Sequence, residues 1–139
     1  MFRKMLVANN GSPGGERALK SALELAKRLE IDLTMICVEE LPRLAASVDE
    51  VAESKTLADH VYDKVVTSAK ALARSHGVSF EAHVVAGRPV PSVIRFVKEH
   101  GYDLLVVGHM GHSALYNRIV RGATVRLVEH APCKVLVIN

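Results

Sequence analysis

Apolar residues along this chain come in short unbroken runs that alternate with stretches of helical period. Met5 to Ala8 is the first run, and Asn9-Asn10-Gly11-Ser12-Pro13 bounds it, which predicts a buried strand ending in a turn. Ser12 suits a helix cap and Pro13 its first position. Leu19, Ala22, Leu23, Ala26 and Leu29 then mark one face, with Lys20, Glu24, Lys27 and Arg28 on the other. Ile31 to Val38 is a second strand rich in β-branched residues. Glu39 to Ser47, containing Pro42, breaks the pattern, and Ala58, Val61, Tyr62, Val65, Ala69, Leu72 and Ala73 trace the longest helix, ending at Gly77. Val78 to Ala86 predicts strand three and Gly87-Arg88-Pro89 a turn. Val93, Ile94 and Val97 mark a third helix before Gly101, and Leu104 to Val107 a fourth strand. Gly108 to Gly111 ends that strand. A helical pattern then runs through Leu127 and Val128, and Val135 to Ile138, entered at Lys134, closes the chain.

The order is βαβαβαβαβ. Strands this apolar, without polar alternation, need helices on both faces, and right-handed crossovers then make a doubly wound parallel sheet. For five strands the order 3-2-1-4-5 is the natural candidate, in a single α/β domain, as 139 residues allow. Strands one and four lie side by side where the winding reverses. In such sheets ligands settle outside the carboxyl ends of the strands at that reversal. The turn Asn9 to Ser12 therefore faces the loop Gly108 to Gly111. A side chain at Gly108 or Gly111 would hold a ligand away from backbone N–H groups, and its absence permits positive φ and close approach. A helix beginning near Gly122-Ala123-Thr124 offers unpaired N–H groups and a dipole to an anion. Thr124 either adds a hydroxyl donor or caps the helix.

Composition narrows the partners. The chain has 18 Lys plus Arg against 15 Asp plus Glu, scattered and not in blocks, with three Phe, three Tyr and no Trp, so neither a phosphate-tracking stripe nor a stacking platform is present and nucleic acid is not expected. No signal core or 18-residue apolar span is present, and the expected location is the cytoplasm, away from membranes. Cys37 and Cys133 lie in apolar runs and read as buried thiols. His109 and His112 lack further ligands and read as solvated, so no metal site is expected. No G-x-S-x-G elbow, H-E-x-x-H pair or P-loop occurs, and enzymatic turnover is not expected.

Three segments carry a resemblance that spans essentially the whole chain: Met5-Leu6-Val7-Ala8 with Gly11-Ser12, then Gly108-His109-Met110-Gly111-His112-Ser113-Ala114-Leu115, then His130-Ala131-Pro132-Cys133-Lys134-Val135-Leu136-Val137. Together they resemble the universal stress protein family. Nucleotide-binding members carry G-x-x-G followed after a spacer by G-[S/T], a loop that wraps phosphates and ribose. The resemblance implies ATP or AMP as ligand. It places the base near the backbone of Ala8, Asn9 and Cys37, and the phosphates and ribose along Val107, Gly108, Gly111 and the Arg121-Gly122-Ala123-Thr124 segment. Two positions depart from the family pattern. Arg121 stands where the second-half glycine is expected and Gly122 where the Ser or Thr is expected, so Arg121 either blocks phosphate or grips it by a charge-assisted contact. Asn10 stands where these members carry Asp, which removes a negative charge and weakens any role for magnesium.

Two functions follow from the resemblance: an adenine-nucleotide-binding regulatory module of the stress response, or a nucleotide-free member acting as a dimeric protein-interaction module. A phosphorelay receiver would share the size and architecture but needs clustered acids, and strands one and three end instead in Asn9-Asn10 and Ala86-Gly87-Arg88. The apolar carboxyl-terminal strand, Lys134 to Ile138, lies at the sheet edge in this order and predicts a homodimer.

Overall fold

The computed structural model describes residues 2–40, 48–109 and 122–139. Strands β1 (Met5–Ala8), β2 (Leu33–Glu39), β3 (Phe80–Ala86), β4 (Leu104–Gly108) and β5 (Lys134–Ile138) alternate with helices α1 (Pro13–Leu29), α2 (Val48–His76), α3 (Pro89–His100) and α4 (Ala123–His130). The sheet order is β3-β2-β1-β4-β5, every pairing is parallel, and β5 is an edge strand.

Successive side chains of a strand point to opposite faces, so each central strand feeds two cores. Met5, Val7, Met35, Cys37, Leu104 and Val106 pack under α1 and α2, against Ala18, Leu19, Ala22, Leu23, Ala69 and Ala73. Leu6, Ile36, Leu105 and Val107 pack under α3 and α4, against Val90, Val93, Val97 and Leu127. Burial on both faces is why these strands read as unbroken apolar runs, and each fully buried Leu or Ile contributes roughly 1.5–3 kcal/mol.

Two strands start later than the sequence pattern suggests. β2 begins at Leu33, not Ile31, and β3 at Phe80, not Val78. The missing residues belong to the ends of the preceding helices. Glu30, Gly77 and Gly101 take left-handed backbone angles, and the next N–H, of Ile31, Val78 and Tyr102, donates to the carbonyl five residues back. This closure satisfies a helix-end carbonyl and uses the apolar residue that follows. Helix α2 also starts earlier than the expected face at Ala58. The sequence from Val48 onward holds no Gly or Pro and opens with Asp49 and Glu50, acidic residues that suit a helix N-terminus. The stretch 41–47, expected to be irregular, lies outside the described residues, as does the span from Gly111 to Arg121.

Candidate functional site

At the winding reversal, β1 and β4 pair in register from Met5 with Leu104 to Val7 with Val106, and their carboxyl ends open under the first turn of α1. The turn out of β1 is built from side chain to backbone hydrogen bonds. Asn9, only 3% exposed, accepts the Gly11 N–H at Oδ1 (2.9 Å), and its own N–H donates to the Ile36 carbonyl (3.1 Å). Its Nδ2 lies 3.6 Å from Met35 Sδ. Asn10, exposed, accepts the Ser12 N–H at Oδ1 (3.0 Å), and Ser12 Oγ caps α1 by accepting the Gly15 N–H (3.1 Å). Short polar side chains can close turns this way, and Gly11 (φ 81°) supplies the left-handed step.

Helix α1 seats on β4 backbone to backbone. A Cβ on Gly108 would lie 2.1 Å from the Gly14 carbonyl oxygen, and one on Gly14 would lie 2.3 Å from the His109 carbonyl oxygen. This corrects the expectation for Gly108. Its φ is not among the positive values, which occur within the described residues at Gly11, Gly77, Gly87, Gly101 and Glu30. The space that a side chain would take at 108 is occupied by α1 itself. Gly14 and Gly15 were missed by the sequence reasoning. Two glycines in a helix's first turn are conformationally costly, and that cost is the signal that the backbone there must approach another closely. A Cβ on Gly15 would lie 2.3 Å from Asn9 Oδ1.

Across the sixteen-residue separation from β4 to α4, Thr124 Oγ1 donates to the Gly108 carbonyl (2.9 Å). Of the two roles open to Thr124, capping is excluded: Gly122 is the cap, and no side chain bonds there. The hydroxyl proton instead ties the first turn of α4 to the end of β4. Gly122 is buried, and its carbonyl accepts the Arg126 N–H (3.2 Å). The structure therefore brings Gly108, Gly122, Ala123 and Thr124 together, with a helix N-terminus beside the carboxyl end of β4. Gly111 and Arg121 lie outside the described residues.

Toward the carboxyl ends of β1, β2 and β4, Cys37 and Val107 are buried in the two opposite cores and Ala8 packs partly against the second, so main chain is what these positions offer. Asn9 offers less than expected, since its N–H is committed to Ile36. Burial pushes the Cys37 thiol up to about 12. Beside it Tyr62 donates its hydroxyl to the Val38 carbonyl (3.0 Å), as a core-edge residue would. Its own pKa is raised first by burial, then by the charges of Cys37, Glu39 and Glu40. Glu39 is a buried carboxylate at the end of β2 that the sequence pattern did not flag. Arg88 precedes α3 at the end of β3, the far edge of the sheet. Among the described residues no three His, Cys, Asp or Glu cluster in a way that holds a metal, and no helix is long and apolar enough to cross a membrane.

Comparison with known proteins agrees with this architecture over the full chain. The universal stress protein YxiE of Bacillus subtilis is 29% identical over 148 residues that span all of both chains. A universal stress protein crystallised in complex with cAMP superposes with a TM-score of 0.79 at 21% identity, covering 99% of this chain and 97% of that one. A universal stress protein family protein from Arabidopsis thaliana with AMP bound superposes with a TM-score of 0.64 at 23% identity, covering 98% and 90%. The family model described as the universal stress protein family matches residues 1–139. The chain belongs to the universal stress protein family.

Proposed function

We propose that this chain is an adenine-nucleotide-binding regulatory module of the stress response, a cytoplasmic protein that binds ATP or AMP without turning it over. The observation that carries the reading is the Thr124 to Gly108 hydrogen bond, which fixes the N-terminus of α4 beside the carboxyl end of β4 at the sheet's winding reversal. Amide donors and a helix dipole at that place favour a phosphate. The AMP and cAMP complexes of the two structural neighbours support an adenylate as the guest. Main chain at Ala8 and Cys37 would take the base, and the Gly108 to Thr124 segment, including Gly111 and Arg121, the phosphates and ribose. Magnesium is not required in this reading, because Asn10 brings no charge and its Oδ1 already accepts the Ser12 N–H.

Calorimetric titration of the purified protein with ATP and AMP, with and without magnesium, tests the reading. Saturable binding independent of magnesium is expected, and the Gly111→Val variant should lose it while remaining folded. Folded protein that takes up neither nucleotide at millimolar concentration would leave the second reading, a nucleotide-free member that acts by dimerising and docking other proteins. That second reading is favoured by Arg121 and Asn10, which depart from the family's nucleotide-binding pattern. Either way we expect a homodimer through β5, whose edge is half exposed with Leu136 outward. A monomer by sedimentation at micromolar concentration would contradict it.

A further inference from the structure

We infer that the Asn10-Gly11 bond is a site of spontaneous deamidation in the folded protein, so that ageing installs a carboxylate at the mouth of the crevice. Asn-Gly is the dipeptide in which cyclisation meets least hindrance, because the residue that supplies the attacking nitrogen carries no side chain. It occurs once in this sequence, since Asn9 precedes Asn10 and Asn117 precedes Arg118. Asn10 is exposed, whereas Asn9 is buried with its carboxamide oxygen committed to the Gly11 N–H.

The fold supplies one contact that favours the reaction at Asn10 and one that must first open. The Ser12 N–H donates to Asn10 Oδ1 at 3.0 Å, which polarises the carboxamide carbon and stabilises negative charge on that oxygen as the tetrahedral adduct forms. The Gly11 N–H donates to Asn9 Oδ1 at 2.9 Å, a bond that must open before that nitrogen loses its proton and attacks, because a carboxamide oxygen is too weak a base to take the proton. In the first step the Gly11 nitrogen forms a bond to Asn10 Cγ. The Cγ–Nδ2 bond then breaks, the proton lost from Gly11 passes through solvent to the departing nitrogen, and ammonia leaves behind a five-membered succinimide. In the second step water adds to one of the two ring carbonyls. Opening at the side-chain carbonyl gives an ordinary aspartate at position 10, and opening at the main-chain carbonyl gives isoaspartate, with the chain now running through Cγ.

The two products act differently on the same turn. A carboxylate at position 10 keeps the acceptor for the Ser12 N–H and makes that bond charge-assisted, next to a helix N-terminus that favours negative charge. Isoaspartate lengthens the main chain by one carbon just before Gly11 and the Ser12 cap, and so displaces the bond that the Gly15 N–H donates to Ser12 Oγ. A further consequence rests on the nucleotide reading: the new aspartate repels an incoming phosphate in the absence of a metal.

Mass spectrometry of aged protein tests the modification without any nucleotide. The full chain is held folded at mildly alkaline pH, sampled over weeks, and cleaved with trypsin in heavy-oxygen water, so that conversion during digestion carries its own label. The tryptic peptide from Met5 to Arg17 should gain the mass of an amide-to-acid change whose new oxygen at position 10 is light, the heavy oxygen being confined to the Arg17 carboxylate made by trypsin, and split into aspartate and isoaspartate forms. Electron-transfer fragmentation should place the change at position 10, with Asn9, Asn117 and Asn139 intact. A peptide that stays intact in folded protein while a urea-unfolded sample converts would overturn the inference, as would conversion at Asn9. For the consequence, Asn10→Asp should bind ATP several-fold more weakly than the unchanged protein when magnesium is absent. Equal affinity would overturn the predicted repulsion, and an unchanged protein that binds no ATP would sink the nucleotide reading while the mass measurement still decides the modification.

Discussion

Replacing Gly108 with Ala puts the seating of α1 on β4 to a quantitative test. The added Cβ would meet three backbone atoms of Gly14, its O at 2.1 Å, C at 2.5 Å and Cα at 3.2 Å. None of these is the end of a flexible side chain, so relief requires roughly an ångström of separation between α1 and β4. Helix α1 cannot yield that cheaply, because Ala18, Leu19, Ala22, Leu23 and Ala26 are packed on the same face. Overpacking a close-packed interior costs about 1–3 kcal/mol, and a backbone obstacle belongs at the top of that range. Replacing Gly by Ala in a strand returns about 0.5–1 kcal/mol through lower unfolded-chain entropy. The net loss should be about 2 kcal/mol. Urea unfolding reads it as a midpoint lowered by about 1 M at unchanged slope, since the slope is about 1–3 kcal/mol/M for domains of this size. Gly77→Ala is the comparator: its Cβ meets nothing within 4 Å, and only the φ of 69° is penalised, at about 1 kcal/mol. A Gly108→Ala protein as stable as the unchanged chain would refute the reasoning, and so would full additivity with Gly14→Ala, which intrudes into the same gap.

Thr124→Val keeps the shape but removes the donor to the Gly108 carbonyl, and should cost about 1–2 kcal/mol by chemical denaturation; no change in midpoint would mean that the bond is not made in solution. Cys37, with its pKa near 12, should be thiolate in on the order of one molecule in ten thousand at pH 8 and resist alkylation until the protein unfolds, whereas half-buried Cys133 should react first. Equal labelling of the two thiols would contradict the buried placement. Burial pushes the Asp103 carboxyl up, but hydrogen bonds from the Arg3 N–H (2.9 Å) and Lys4 N–H (3.1 Å) outweigh it and the pKa falls below the ordinary value. Its contribution to stability is therefore present above the unfolded-state value and lost as pH falls through the lower folded one. Calorimetric melting of Asp103→Asn should show a deficit at neutral pH that closes in acid; a deficit that persists at low pH would refute the assignment.

The parallel sheet was legible because both faces of β1, β2 and β4 are covered, which leaves runs such as Leu104 to Val107 with no polar interruption. Crossover handedness gave the doubly wound class, for which 3-2-1-4-5 was the natural candidate order, and the crevice followed from that order. Boundaries were harder to read. Ile31 and Val78 are apolar and β-branched, yet they close helices, and periodicity alone does not distinguish a strand's first residue from the residue that follows a left-handed helix end. Gly108 stood out in the sequence, but not what its missing side chain makes room for in the fold, because that atom belongs to Gly14, far away in the chain. Thr124 carried two local readings, and its partner turned out to be a carbonyl on β4 that no local pattern marks. Glu39 passed as the start of a polar break, since burial of a carboxylate is a tertiary fact.

The central claim, that an adenylate lies at the reversal between β1 and β4, is tested most directly by following the backbone amide signals of isotope-labelled protein as AMP is added. The account predicts saturable shifts at Ala8, Gly108, Ala123 and Thr124, with Arg88 and its neighbours at the far edge unmoved. Amides that stay in place at saturating AMP, or shifts gathered at β3 instead, would contradict it.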